Sequence, residues 1–448
     1  SKAWNLIKKG EASIVIGARS AVFSPMSNLG LIIVDEEHDN SYKQHEDMPA
    51  YHARNVAVMR GKMNGCTILL GSATPSMESY KNGENGKYIL SVLQQRANQS
   101  FLPKVHIVNM KESWEKGFTH FSQLLLDKIK ERLEKGEQTL LFLNRRGYHT
   151  SLICKQCSHI VKCPHCDISL TFHKERNILS CHLCTFETPP KRECPSCHSS
   201  EYLQYKGYGT EHIERTLHAI FPDVRTVRVD RDTTQKKESH ERLFQEFRAG
   251  KADVLIGTQM IVKGLHFPNV TLVGVIQGDT SLHIPDFRSS EYAFQLLTQV
   301  AGRSGRSEIP GEVVIQTLLP DHPIIQLAAK QEFVSFYQKE ITEREAFSYP
   351  PFSHLIKISF SGTSEDFTQE EGKKFRTELL KQLPTSCEVH PLVPSGHVKV
   401  QDRFRYFFLI KGTSVFPMTE AIEKTRQRAN LHRKIRLFID VDPLSTFF

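Results

Sequence analysis

At 448 residues the chain is too long for one ordinary hydrophobic core, so two or three domains are predicted. Its 39% hydrophobic and 24% charged content is that of a soluble globular protein, and the lack of an apolar run of about 18 residues excludes a membrane-spanning helix. The net charge is +8, and residues 399–436 hold ten Lys/Arg against three acids, which suggests a polyanion partner, with a solvated basic surface as the alternative. No signal peptide opens the chain. It starts at Ser1 rather than Met, and "SKAWNLIKKGEASIVIG" reads like the middle of a domain, so an N-terminal truncation is expected.

In chain order, the apolar runs "LGLIIV" (29–34), "TILLG" (67–71), "TLLFL" (139–143), "DVLIG" (253–257), "VTLVGVI" (270–276) and "VVIQT" (313–317) read as buried parallel strands. Helical patterns lie between them, among them "SQLLLDKIKERLEKG" from Ser122 and "TEHIERTLHAIF" from Thr210. This alternation predicts an α/β architecture with parallel sheets. A polar stretch from Lys81 to Lys116 lacks periodicity and marks a boundary. The expected layout is a first lobe over 1–97, a linker over 98–117, and a second lobe over 118–325 that carries a Cys-rich insertion at 150–202. A smaller α+β domain over 326–448 follows, in which "YPPFSHLIKISFSG" and "RFRYFFLIKG" read as antiparallel strands around a helix.

Eight of the ten cysteines form four C-x-x-C pairs, Cys154/Cys157, Cys163/Cys166, Cys181/Cys184 and Cys194/Cys197. Each pair can place two thiolates on one side of a tetrahedral zinc, and four thiolates close a structural site. Two zinc ions with no open coordination position are therefore expected, in a reducing compartment. Fourteen residues separate the inner pairs, near zinc-ribbon spacing, which favours 163/166 with 181/184 on one ion and 154/157 with 194/197 on the other. Sequential and interleaved pairings are the alternatives, and a redox dithiol set is the competing chemistry. Cys66 and Cys387 stand alone and read as small core residues.

Asp35 and Glu36 follow the strand at 29–34, at the carboxyl end where open parallel sheets build their sites. Asp35 is placed to hold magnesium, and Glu36 to orient and deprotonate an attacking water. After the next strand comes "GSATPS" (71–76), whose Ser72 and Thr74 hydroxyls could link these carboxylates to a nucleic-acid track. "IGTQMIVKG" (256–264) follows a strand of the second lobe, and "QVAGRSGR" (299–306) presents Gln299, Arg303 and Arg306 roughly on one helical face. Arginines of this kind can reach a γ-phosphate, and salt bridging at the surface is their bland alternative.

"DEEH", "GSATP" and "QVAGRSGR" resemble motifs II, III and VI of superfamily 2 helicases. The strings "VIGARSAVFSPMSNLGLIIVDEEHDNSYKQ", "LFLNRRGYH", "DVLIGTQMIVKGLHFPNVTLVGVI" and "YPPF", with the eight-cysteine insertion, are similar to the PriA family of bacterial replication-restart helicases (primosomal protein N′) along essentially the whole chain. The resemblance implies two RecA-like lobes, the first incomplete, with a two-zinc insertion and a C-terminal α+β domain. It implies ATP-driven 3′-to-5′ unwinding at stalled forks with magnesium-ATP and two zinc ions, in the bacterial cytoplasm at the nucleoid. Implied partners are forked and single-stranded DNA, the single-stranded-DNA-binding protein, primosome proteins and the loader of the replicative helicase. On the matching motifs, Glu37, His38 and Gly264 join Ser72, Thr74 and Gln299 as support for the ATP site. The family's Walker A loop lies upstream of motif II, and no G-x-x-x-x-G-K-[ST] occurs in these residues, so weak ATP hydrolysis by this chain alone is expected.

Tyr42 and Tyr51 are placed to stack on an unpaired base, with His52 and Arg54 beside them, although ordinary packing would also explain the aromatics. Segment 49–55, "PAYHARN", differs from the family's Pro-Arg-Tyr-His-Ala-Arg-Asp at Ala50 and Asn55. In "RFRYFF" (403–408), Arg403 and Arg405 share one strand face, read first as a wet face opposite a core face and second as phosphate contacts. The alternative functions are a non-catalytic zinc-dependent DNA-binding or assembly module, and another superfamily 2 translocase.

Overall fold

The computed structural model describes residues 2–447 apart from 45–48, 94–101, 118–119, 145–151, 155, 158, 166–167, 174–175, 182–183, 191–192, 201, 205–208, 230–236, 262–266 and 305–310. Two compact units form, one from Ser1–Leu90 and Glu343–Phe448 with the short segment His182–Thr185, the other from Ser91–Cys181 with Phe186–Thr342.

The second unit is built on a six-stranded parallel sheet in the order Thr226–Val229, Val254–Gly257, Gln138–Phe142, Val270–Val275, Glu312–Thr317, Lys104–Asn109. Its central strands are buried on both faces, which is why they appear as largely apolar runs without polar alternation. The helix Gln123–Lys135 covers one face through Leu125 and Ile129. Ser122 starts this helix by accepting from the Leu125 amide, and Gly136 ends it at φ +66°, a value that suits glycine.

The sheet corrects two expected boundaries. Residues 104–109, expected within a linker, form its edge strand and pair with Glu312–Thr317 over six residues. "KVHIVN" hid this because an edge strand is only half-buried and needs no continuous apolar run. The smaller domain was expected from 326, but the second unit runs on through Thr342 and includes the helix Pro323–Lys330 and most of Phe333–Ala346.

In the first unit, Leu31–Val34 pairs in parallel with Thr67–Leu70. The helix Ala53–Asn64 lies on one face, with Gly61 close against Ile68. The expectation that both strands are buried is corrected, since Leu31, Ile33 and Leu69 are 51%, 60% and 53% exposed on the other face. The C-terminal part holds an antiparallel sheet around His354–Gly362 and Arg403–Gly412, paired over nine residues. Arg436–Val441 adds to the former strand, and Glu388–Val389 and Val393–Val400 to the latter. The helices Glu365–Leu380 and Val415–Arg428 close its core around Phe360, Phe375 and Phe408.

Candidate active site and metal centre

Val34 ends its strand against Leu70, and the chain then turns sharply at the carboxyl end of the sheet. Gly71 N donates to Val34 O at 2.9 Å and Glu37 N to Gly71 O at 3.0 Å, which fastens the DEEH turn to the start of GSATPS. Glu36 has φ +47°, unusual for a residue with a Cβ, and its amide donates to Asp35 Oδ1 at 3.0 Å. Tyr42 donates from its hydroxyl to Asp35 O at 2.7 Å. Burial, then the charges of Asp35, Asp39 and Glu36, hold the Tyr42 hydroxyl above its ordinary pKa, so it stays a donor.

His38 Nδ1 lies 2.7 Å from Ser72 Oγ and 3.7 Å from Glu36 Oε2. Ser72 Oγ also accepts from the Thr74 amide at 3.0 Å, and Thr74 is buried. The turn therefore brings Asp35, Glu36, His38, Ser72 and Thr74 together. Glu37 plays a different part. It is 1% exposed and accepts from Ser76 N at 2.7 Å, Ser79 Oγ at 2.8 Å and Arg54 Nη1 at 2.8 Å. Arg54 also donates to Ser76 Oγ at 2.6 Å. Burial opposes the Arg54 charge, but Glu37 and, behind it, Glu78 together outweigh burial and raise its pKa. The guanidinium placed at the nucleic-acid contact from sequence thus points inward, onto this carboxylate.

Glu37 was named from sequence, but its partners Ser76 and Ser79 were missed. Their signal was Ser76 as the cap of the helix Met77–Glu84. Lys43 was also missed: its ammonium lies 2.6 Å from Asp440, and no local signal could reveal a partner so far along the chain. Tyr51 packs edge-on against Phe23 at 5.1 Å, with the Arg19 guanidinium 5.9 Å from its ring centroid, and His52 precedes the helix Ala53–Asn64.

In the second unit, Gln299 lies in the helix Ser289–Ala301, while Arg303 is buried just beyond its end. The single helical face expected for Gln299, Arg303 and Arg306 is corrected for Gln299 and Arg303, because the helix ends at Ala301. Arg306 and Gly264 lie outside the described residues. In "RFRYFF", Arg403 donates to Ser361 O at 2.7 Å and Tyr406 to Glu365 at 2.6 Å, and Arg405 is exposed.

The cysteine pairs repeat one local turn. The first cysteine's amide donates to the carbonyl five residues on in each: Cys154 to His159, Cys163 to Ile168, Cys181 to Phe186 and Cys194 to Ser199, at 2.7–3.0 Å. Thr185 and His198, directly after a second cysteine, adopt positive φ. Cys154, Cys157, Cys194 and Cys197 gather with all sulfurs within 4.8 Å, and so do Cys163, Cys181 and Cys184. Cys166 lies outside the described residues. The outer pairs thus meet each other, as do the described members of the inner pairs.

These thiols fit zinc. Cys154–Cys197 and Cys157–Cys194 are each 3.5 Å apart, too long for a disulfide and near the roughly 3.8 Å edge of a tetrahedron with Zn–S of about 2.3 Å. Their titration is divided. Against burial, the His159 amide and neighbouring thiols bring Cys157 down to about 7. At Cys197 the Ser199 amide pulls downward, yet burial and the same thiols push it up to about 12. Four sulfurs this close ionise together only around a cation. Cys66 and Cys387 are both half-buried, and Cys387 packs against the C-terminal core.

The comparisons agree with this arrangement. The family model "PriA DNA helicase Cys-rich region (CRR) domain" matches residues 163–189, "Helicase conserved C-terminal domain" matches 198–308, and "Primosomal protein N C-terminal domain" matches 345–444. Replication restart protein PriA of Chlamydia pneumoniae is 53% identical over 100% of this chain and 60% of its own length. The protein of that name from Bacillus subtilis is 43% identical over 98% of this chain and 55% of its own length. The chain thus spans about three-fifths of the relatives it matches. With a zinc-ribbon module, a helicase lobe on a parallel sheet and a matching C-terminal domain, the chain belongs to the PriA family of replication restart proteins.

Proposed function

We propose that these residues are the motor and zinc portion of an ATP-dependent DNA helicase that restarts replication at stalled forks. The observation that carries this reading is the acid turn at the carboxyl end of Leu31–Val34, held to Ser72 through His38. Asp35 would hold magnesium-ATP, which supplies the γ-phosphoryl group and its charge neutralisation. Glu36 would position the attacking water and accept its proton. The His38–Ser72 bond would pass the state of this turn to the GSATPS segment, and Thr74 stiffens that segment from within. Arg303 and Arg306 would stabilise charge developing on the transferred phosphoryl group. Tyr42, Tyr51 and His52 would meet unpaired bases near the turn, with Gly264 and Gln299 supporting the nucleotide site. Movement 3′-to-5′, the single-stranded-DNA-binding protein, primosome proteins and the helicase loader as partners, and a cytoplasmic setting belong to the same reading.

The two cysteine clusters would each hold a structural zinc, since four thiolates leave no position for a reacting water. The 448 residues contain no G-x-x-x-x-G-K-[ST], so alone they would bind and hydrolyse ATP weakly. The deciding experiment is DNA-stimulated ATP hydrolysis by the complete gene product and its Glu36→Gln variant. A loss of about 10²-fold or more in kcat, with DNA binding kept, is expected. Unchanged turnover would remove Glu36 from the mechanism and this reading with it.

A further inference from the structure

Lys43 closely follows the acid turn, yet its side chain ends in the C-terminal sheet of the same unit. Its Nζ lies 2.6 Å from Asp440 Oδ1 and donates to Val441 O at 2.6 Å and Asp442 O at 3.1 Å. Two of the ammonium's donors thus go to backbone carbonyls, while the Asp440 carboxylate faces it as an ion pair. Lys43 is 3% exposed and Asp440 6%, so the pair is removed from water. Those partners form the end of Arg436–Val441, whose register sets Lys357 opposite Asp440. Lys357 places its ammonium 4.2 Å from the Phe407 ring centroid.

The backbone of Lys43 leads back toward the acid turn. Its carbonyl accepts from Arg19 Nη1 at 2.8 Å, and Lys43–Gln44 pairs with Tyr51–His52. Its neighbour Tyr42 holds the Asp35 carbonyl, directly before the left-handed Glu36. Two well-packed apolar residues would stabilise such a place as well as a buried ion pair does or better. What this contact adds is register: only one seating of the loop gives Lys43 both carbonyls and its buried counter-charge at once.

We propose that Lys43 is a positioning residue through which the C-terminal sheet sets the geometry of the Asp35–Glu36 turn. The kinetic part rests on the assignment of those acids to ATP hydrolysis. The test uses the complete gene product with Lys43→Met and with Lys43→Met/Asp440→Leu. The single variant strands a buried carboxylate and loses thermal stability, whereas the double variant removes both charges and recovers it. In the double variant, hydrogen–deuterium exchange across residues 35–44 should rise several-fold. Its DNA-stimulated kcat should fall about tenfold with KM for ATP within about twofold, as misplaced catalytic groups do. Wild-type exchange or wild-type kcat in a double variant of restored stability would overturn the proposal. If the double variant does not fold, Lys43→Arg keeps the charge but shifts its donors, and the same exchange and kcat changes are required of it. Should Glu36→Gln leave turnover unchanged, the ATPase reading fails, and the exchange measurement still decides the clamp.

Discussion

Arg54 Nη1 donates to Glu37 Oε2 at 2.8 Å, joining the first turn of the helix Ala53–Asn64 to the middle of the DEEH segment. Glu37 is almost wholly buried, and this guanidinium is its ion-pair partner at that place. Arg54→Met is expected to cost about 3–5 kcal/mol, the usual consequence of breaking a buried pair and stranding one charge. Urea unfolding of the 448-residue chain measures it. A midpoint within error of wild type would show that Arg54 is free for another task.

The two clusters predict about two zinc per chain in the purified protein. Cys194→Ser should lower this to about one, Cys181→Ser likewise, and the pair of substitutions together to near zero. Metal analysis of the variants reads the outcome. Loss of both ions from either single variant would mean that the clusters share ligands rather than standing apart.

His322 starts the helix Pro323–Lys330, and its Nδ1 accepts from the Ile324 amide at 3.3 Å. Accepting requires a neutral ring. Burial, assisted by the Lys162 charge, brings its pKa down from 6.5 to about 4. The unfolded chain therefore binds more protons between those values. The contribution of His322 is complete above pH 6.5 and is lost as pH falls toward 4, by up to about 3 kcal/mol. His322→Asn keeps an acceptor that does not titrate in this range, and the acid side of the stability profile should flatten. Parallel profiles for variant and wild type from pH 4 to 7 would refute this.

Gly257 ends the strand Val254–Gly257 where no side chain fits: a Cβ would come within 2.7 Å of Val229 O and 2.6 Å of Ile261 Cγ2. One of these neighbours is backbone in the same sheet and cannot swing away. Gly257→Ala should destabilise the chain by about 1–3 kcal/mol through overpacking. Chemical denaturation tests this, and an unchanged midpoint would show that the sheet yields at that strand end.

The central strands could be read from sequence because both faces are buried and most positions are apolar, with only Gln138, Thr139 and Thr271 breaking the runs. The edge strand Lys104–Asn109 could not, since one half-buried side leaves it "KVHIVN", close to an ordinary polar stretch. Asp35, Glu36 and Ser72 could be located at the sheet's carboxyl end because each lies within two residues of a strand's last residue. Arg54 was misdirected for a physical reason: a guanidinium beside an aromatic loop looks the same in sequence whether it faces solvent or a buried acid. Arg303 reads as sharing a helical face with Gln299 only if helical spacing is carried past Gly302, and the helix ends before it.

By itself, the sequence determined whatever depends on near neighbours. The C-x-x-C turns close over five residues by one backbone bond, and acids follow a strand because the chain turns there. Only the tertiary structure decided which thiol pairs meet, which acid is buried, and that Lys43 ends beside Asp440. These depend on residues far apart in the chain. Whether a charge meets water or a partner is set by what folds over it, and no local pattern records that.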